Sequence, residues 1–153
     1  MVSLPKNNEK VLSEIRERHP DADLYIHCGD SEVMPDKIKD YITVQGNADY
    51  PGLYPGGKKI KIGSHAILVK HGHDMFGSYP HSKYLAKIAK EHGCDILLYG
   101  HSHVFCDEVA DGVFIINPGS ITNPKYGGDP SYAEIVLTDT DIIVKKIIYP
   151  NKC

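Results

Sequence analysis

The chain has 153 residues, of which 41% are hydrophobic, and 20 acidic against 17 basic residues give a net charge of −3. We expect a single domain over residues 1–153, because this length can bury one sizeable core. No stretch approaches the roughly 20 apolar residues of a membrane span, and the acidic excess argues against a basic surface for nucleic acid.

The hydrophobic pattern predicts alternating helices and strands in the first half and hairpins in the second half. In chain order, the predicted elements are a helix at 8–18, strands at 23–27 and 41–45 around a short helix at 35–40, a hairpin at 58–62 and 65–70, a helix at 81–92, a strand at 95–99, and hairpins at 104–110 and 113–117 and at 132–137 and 142–149. This order predicts an α/β fold of mixed sheets with the helices outside.

The cysteines are widely spaced along the chain, at Cys28, Cys94, Cys106 and Cys153. They include no Cys-x-x-Cys pair, which argues against a disulfide scaffold or a zinc ribbon. The first ten residues show no apolar core followed by a cleavage site. We therefore expect reduced thiols and a cytoplasmic location.

Four of the predicted strands are followed by polar clusters. The clusters are Gly29-Asp30, Gly46-Asn47-Ala48-Asp49, His71-Gly72-His73 and Gly100-His101-Ser102-His103. Ligand sites in open α/β sheets form beyond the carboxyl ends of the strands, so we expect these clusters to meet. Carboxylate, amide and imidazole groups together suit Mn, Zn, Fe or Ni better than Ca or Mg.

Each cluster also has a structural interpretation when it is taken alone. Asp30 can be a helix cap or a turn residue, and Gly46-Asn47 can be a turn. His71 and His73 can be an ordinary polar strand end. Four such clusters in this order favour a metal site over four unrelated structural roles.

The order Gly-Asp, Gly-Asn-x-Asp, His-Gly-His and Gly-His-x-His resembles the calcineurin-like metallophosphoesterase superfamily, in particular its small YfcE-type phosphodiesterases. Asn117-Pro118-Gly119-Ser120 matches the same branch, and the resemblance covers nearly the whole chain. It implies a four-layer α/β/β/α sandwich of two mixed sheets. It also implies a hydrolase with divalent metal ions, Mn²⁺ first and Zn²⁺, Ni²⁺ or Fe as alternatives.

The resemblance also assigns roles to single residues. Asp30 would be the carboxylate that bridges two metal ions in the family. Asn47, His71 and His101 would complete one metal site, and His103 would belong to the other. The resemblance thus makes these five residues metal ligands, and it makes the first four the catalytic residues.

Two departures from the family pattern affect the expected chemistry. The family opens with a strand that ends in Asp-x-His, and no such pattern precedes Gly29-Asp30 here, so we expect that strand and its two ligands to be absent. One metal site would then keep four ligands, and the other only Asp30 and His103. Ala48 stands where many members have a histidine that assists the leaving group, which favours diesters with good leaving groups.

We therefore expect a metal-dependent phosphodiesterase in which a metal-activated water attacks a phosphodiester substrate. The alternatives are a non-catalytic scaffold of the same fold that binds a protein partner, and a protein with one structural zinc. A missing central strand would expose a sheet edge and apolar surface, which invites either pairing with another chain, as in a homo-oligomer, or a rearranged local fold. Asp49 is expected to orient a ligand histidine, and His73 either contacts phosphate or is solvated.

Tyr50 and Tyr54 follow Asn47 closely and have two interpretations. They either form an aromatic wall for a nucleobase or an aryl ester, or they only pack the loop.

Overall fold

The structure is a computed structural model, and it describes residues 5–75, 81–122, 124–125 and 128–149. In these ranges the elements are α1 (Pro5–Arg18), β1 (Tyr25–His27), a 3₁₀ turn (Pro35–Lys37), β2 (Tyr41–Thr43), β3 (Gly57–Ile62), β4 (His65–Lys70), α2 (Ser82–Glu91), β5 (Ile96–Tyr99), β6 (Phe105–Ala110), β7 (Val113–Pro118), β8 (Ser131–Leu137) and β9 (Ile142–Ile148). No described helix is both long and apolar enough to cross a bilayer.

A mixed sheet of five strands, in the order β3-β4-β5-β7-β6, forms the centre of the fold. β4, β5 and β7 run parallel, and β3 and β6 pair antiparallel at the two edges. β1 pairs parallel with β2, and β8 pairs antiparallel with β9. The predicted α/β class with mixed strand directions is confirmed.

The two faces of the central sheet bury alternate residues of the same strands, as the pleat requires. Leu68, Leu97 and Ile115 pack beneath α2 on one face. Val69 and Leu98 lie on the other face, in a cluster that includes partly buried residues of β8 and β9. Each fully buried aliphatic side chain contributes about 1.5–3 kcal/mol, so both faces stabilise the fold.

Helix α1 packs against other parts of the chain through two positions one turn apart. Leu12 contacts the cluster around Val33 and Ile38, and Ile15 packs with Tyr132 and Tyr149. Within the described residues no ladder joins the β1–β2 pair to the β8–β9 pair. The four-layer sandwich therefore stays a prediction, and the predicted absence of an earlier strand falls on residues 1–4, outside the described residues.

The predicted order of the elements is confirmed, and their types are confirmed except at 35–40. β1 begins at Tyr25 instead of residue 23. The short helix predicted at 35–40 is only the turn Pro35–Lys37, because Ile38 leaves the helical region at φ −130°. β2 ends at Thr43 instead of residue 45, because the Gln45 amide donates to the Pro55 carbonyl rather than to β1.

Candidate metal centre

The carboxyl ends of four strands meet beside the candidate centre. Asp30 lies three residues beyond β1, and Asn47 lies four residues beyond β2, its parallel neighbour. His71 directly follows β4, and His101 follows the parallel strand β5 after Gly100. The sheet thus positions polar side chains that are far apart in the sequence.

The Nε2 atom of His71 is the point at which the four side chains converge. It lies 2.9 Å from Asn47 Oδ1, 3.2 Å from Asp30 Oδ2 and 3.3 Å from His101 Nδ1. The His71 ring is buried, whereas Asn47 and His101 are exposed to solvent. The structure therefore brings together four of the five predicted ligands at a site that solvent reaches.

Hydrogen bonding fixes the orientation of the His71 ring. Its Nδ1 donates to the Cys28 carbonyl at 2.8 Å, so its Nε2 faces the other side chains. Both ring nitrogens face oxygen acceptors, as in a protonated imidazole.

The charges of His71 and Asp30 support each other. Burial lowers the pKa of His71, but its bonds to Asp30 and Cys28 outweigh burial and leave this pKa above its ordinary value. Burial raises the pKa of Asp30, but the bonds from His71 and the Ala48 amide outweigh it and leave this pKa below its ordinary value. The pKa of His101 is lowered by burial and by the charge of His71.

His73 lies at the solvent side of this cluster. Its ring centroid is 5.4 Å from that of His71 and 6.4 Å from that of His101, and the side chain is exposed. Both interpretations of this residue, a phosphate contact and a solvated histidine, remain predictions.

The backbone at the site takes conformations that side chains usually avoid. Asp30, His101 and His103 have φ values of 60°, 63° and 60°. Non-glycine residues adopt such angles at a cost of about 1–3 kcal/mol, and they cluster at functional sites. Packing must hold these three positions against that cost.

Two glycines allow the chain segments to approach one another closely. A Cβ at Gly46 would lie 2.1 Å from Asp30 Oδ1 and 2.3 Å from the Asp30 amide nitrogen. A Cβ at Gly29 would lie 2.6 Å from the His71 ring. The space that both side chains occupy therefore exists only because these positions are glycine.

The structure corrects the role expected of Asp49, which holds backbone amides instead of a histidine ring. Its Oδ2 accepts from the amides of Asp30 at 2.9 Å and Gly46 at 2.8 Å. Its Oδ1 accepts from the Glu32 amide at 2.8 Å, and the side chain is only 5% exposed. Asp49 thus ties the Asp30 loop to the Asn47 loop.

Asn117 is a positioning residue to which the sequence alone assigned no role. It is fully buried, and its Nδ2 donates to the Gly100 carbonyl and to Ser102 Oγ, each at 3.0 Å. Its Oδ1 accepts from the Gly119 amide at 2.9 Å. Asn117 therefore supports the loop that carries His101, and the Asn-Pro-Gly-Ser motif was the available signal.

His103 lies two positions beyond His101, and its charge adds to burial and to the charge of His71 in lowering the pKa of His101. The Nδ1 of His103 is buried and has no hydrogen-bond partner in the described part of the chain. Across the described ranges, no set of three or more His, Cys, Asp and Glu side chains is arranged as a formed metal-binding cluster. The side chains of Asp30, Asn47, His71 and His101 instead form a group that is joined by hydrogen bonds and includes an amide.

Comparison with known proteins identifies the family. The calcineurin-like phosphoesterase superfamily domain matches residues 7–141, which include all five predicted ligands. The chain belongs to the calcineurin-like phosphoesterase superfamily. "Probable metallophosphoesterase YsnB" of Bacillus subtilis is 37% identical over 140 residues, which are 90% of this chain and 82% of that protein.

Two further comparisons support the membership in this phosphoesterase superfamily. The phosphodiesterase YfcE of Escherichia coli K12 is 29% identical over 126 residues, which are 71% of this chain and 64% of that protein. A crystal structure of a Streptococcus pneumoniae TIGR4 protein, described as a predicted phosphoesterase, is 30% identical and has a TM-score of 0.83. The alignment covers 93% of this chain and 86% of the Streptococcus pneumoniae chain.

Proposed function

We propose that this member of the superfamily hydrolyses phosphodiesters with a divalent metal ion held by Asp30, Asn47, His71 and His101. The observation that carries the proposal is the convergence of oxygen and nitrogen donors from these residues on His71 Nε2, at 2.9–3.3 Å. In this proposal His103 provides a further ligand beside the first four.

The three separations measured from His71 Nε2 match those expected between ligands of one ion. Ligands about 2.0–2.1 Å from an ion lie roughly 2.8–3.4 Å apart in octahedral or tetrahedral geometry. The His71 Nδ1–H bond to the Cys28 carbonyl leaves Nε2 as the ligating atom once its proton is released. The buried Nδ1 of His103, which lacks a partner in the described part of the chain, also fits a ligand role.

The donor set suits Mn²⁺, Zn²⁺, Ni²⁺ or Fe, because it combines imidazole, carboxylate and amide groups, and among these ions we propose Mn²⁺ first. When bound, such an ion neutralises phosphate charge and acidifies a water molecule. Because the pKa of Asp30 is lowered, its side chain is already an ionised carboxylate and supplies negative charge at the site. Asp49 and Asn117 keep the ligand loops in place.

In the proposed reaction, the oxygen of water bonds to phosphorus as the bond from phosphorus to one ester oxygen breaks. The products are a phosphomonoester and an alcohol, and the proton lost by water balances the proton gained by the alcohol. Ala48 is exposed and has no group that could protonate the leaving oxygen. Diesters of acidic alcohols such as phenols are therefore the expected substrates.

Hydrolysis of bis(4-nitrophenyl) phosphate tests the proposal. Chelator-treated protein should regain activity with Mn²⁺, and parallel assays with Zn²⁺, Ni²⁺, Fe²⁺ and Mg²⁺ rank the ions. Asp30→Ala and His101→Ala should each lower kcat/KM by about 100-fold or more, since each loses a ligand. His92→Ala is the matched control, because His92 is an exposed histidine at the end of α2.

A folded protein that hydrolyses no phosphodiester with any of these ions would reject catalysis. The remaining expectation would then be the non-catalytic scaffold that binds a protein partner. Equal activity in His101→Ala and the wild type would reject the proposed ligand set. The protein would still be a phosphoesterase.

A further inference from the structure

A cleft of about 410 Å³ lies beside the candidate metal centre, between the loop that follows Asp30 and the loop that follows Asn47. Its lining includes Glu32, Met34, Ala48, Tyr50 and Leu53. This volume is within the range of about 300–1,000 Å³ that is typical of small-molecule sites. The cleft is therefore large enough for one ring-sized group.

Two hydrogen bonds connect the cleft to the proposed ligands. The Ala48 amide, in the cleft wall, donates to Asp30 Oδ1 at 2.7 Å. The Glu32 amide donates to Asp49, which also binds the Asp30 amide. The wall of the cleft therefore lies within hydrogen-bond distance of Asp30 and one residue from Asn47, next to the proposed ligands.

Apolar and aromatic side chains form the open part of the cleft. Tyr50 is 75% exposed and Met34 is 55% exposed, which are high values for such residues. Tyr54 differs, because its hydroxyl donates to the Val33 carbonyl at 2.6 Å and its ring packs with the Val33 cluster. Of the two tyrosines considered from the sequence, Tyr54 packs the loop and Tyr50 is available to a ligand.

The charges that line the cleft are negative. The Glu32 carboxylate has no hydrogen bond or ion pair in the described part of the chain, and its φ of 56° is held by the bond of its amide to Asp49. Both carboxylate oxygens of Asp49 already accept backbone amides. No Lys or Arg is among the described residues that line the cleft. An anionic group here would face Glu32 without a compensating cation.

We infer that this cleft binds the leaving group of the phosphodiester, and that it selects an aromatic group without negative charge. The inference rests on the proposed function. Tyr50 and Met34 provide the apolar contact, and Glu32 disfavours carboxylate or phosphate substituents while it accepts hydrogen bonds from amino groups. The substrate class is then an aryl or heteroaryl phosphodiester whose ring is neutral or cationic.

Three methyl aryl phosphodiesters test the inference, with a para carboxylate, a para methyl ester or a para aminomethyl group on the leaving phenol. The wild type should prefer the ester and the amine over the carboxylate by about tenfold in kcat/KM, because like charges repel. Glu32→Gln should reduce that preference to about twofold, chiefly by raising kcat/KM for the carboxylate substrate. Glu17→Gln, at an exposed position of α1, should retain the full preference.

Tyr50→Ala should lower kcat/KM for all three substrates by about fivefold or more, because it removes the aromatic wall. Tyr84→Ala is its control, since Tyr84 is 51% exposed on α2 and does not line the cleft. The inference is overturned if Glu32→Gln keeps the wild-type preference or if Tyr50→Ala equals Tyr84→Ala.

A binding measurement separates this inference from the proposed function. Ligand-detected NMR with methyl esters of phenylphosphonic acid that carry the same three para groups requires no turnover. The inference is supported, even in an inactive protein, if the wild type binds the carboxylate more weakly than the other two compounds. Glu32→Gln should then bind all three about equally. Equal binding of all three by the wild type overturns the inference even if the protein is an active phosphodiesterase.

Discussion

At the scale of single residues, the candidate centre depends on close approaches between backbone and side chain. The Asp30 carboxylate and amide occupy the space that any side chain at Gly46 would need. Gly46 is buried, so a larger residue cannot turn toward solvent. The observed position of Asp30 therefore requires a glycine at residue 46.

We expect Gly46→Ala to lower the free energy of unfolding by about 1–3 kcal/mol, because the added methyl group overpacks a closed space. It should also weaken Mn²⁺ binding by about tenfold or more, since Asp30 must move. Thermal unfolding and calorimetric titration measure the two effects. Gly56→Ala is the control, because a Cβ there meets nothing within 4 Å, and equal behaviour of the two variants would contradict the expectation.

The carboxylate of Asp49 is the second requirement at this scale. Its two oxygens accept backbone amides from both loops, and an asparagine can accept on one side only. Asp49→Asn should therefore destabilise the fold by about 1–3 kcal/mol, as is usual for an unsatisfied buried group. Chemical denaturation gives this value, and Asp21→Asn at an exposed turn should change it little. A loss of stability in Asp49→Asn as small as that in Asp21→Asn would contradict this role of the Asp49 carboxylate.

At the scale of elements, His65 joins three parts of the fold. Its Nδ1 pairs with Asp95 at 2.8 Å, at the starts of the neighbouring strands β4 and β5. Its Nε2 donates to the Thr138 carbonyl at 2.8 Å, in the turn between β8 and β9. The hydrogen bond with Asp95 raises the pKa of His65. Burial raises the pKa of Asp95, but the bonds from His65 and from the Ala66 amide, together with the charge of His65, outweigh burial and leave this pKa below its ordinary value.

These shifts determine the sign of a pH effect on stability. The raised pKa of His65 adds stability that is complete below about pH 6.5 and is lost as the pH rises through the folded-state pKa. The lowered pKa of Asp95 adds stability above about pH 4 that is lost as the pH falls through its own folded-state pKa. The pair therefore stabilises the fold most between these limits.

His65→Gln should cost less than about 1 kcal/mol near pH 5.5, because solvent screens a pair whose Asp95 side chain is 40% exposed. The difference from the wild type should shrink by pH 9. Urea denaturation at several pH values measures it, with His92→Gln as the control. A difference that grows with pH would contradict this assignment of charges.

At the scale of the whole molecule, the central sheet gathers groups from distant parts of the chain. The four proposed ligands span 71 positions of the sequence, from Asp30 to His101. They meet because parallel strands end at one side of the fold. Their proximity could be predicted, since Gly-Asp and Gly-His-x-His motifs after apolar strands indicate that edge.

Other features could not be predicted from the sequence. The bonds of Asp49 to the amides of Asp30 and Glu32 join positions 19 and 17 residues apart, and no local sequence pattern specifies them. The early end of β2 depends on a bond between Gln45 and Pro55, which is a tertiary contact. The difference between Tyr50 and Tyr54 likewise arises from packing against Val33. Local patterns determine element types, whereas these details depend on neighbours distant in the sequence.

Anomalous diffraction from crystals grown with Mn²⁺ tests the central claim most directly. The account predicts a manganese peak within about 2.0–2.4 Å of Asp30 Oδ2, Asn47 Oδ1, His71 Nε2 and a ring nitrogen of His101. A chelator-treated crystal, as the control, should lose that peak. A peak elsewhere, or no peak while the four side chains remain hydrogen-bonded to one another, would contradict the claim that they bind one ion.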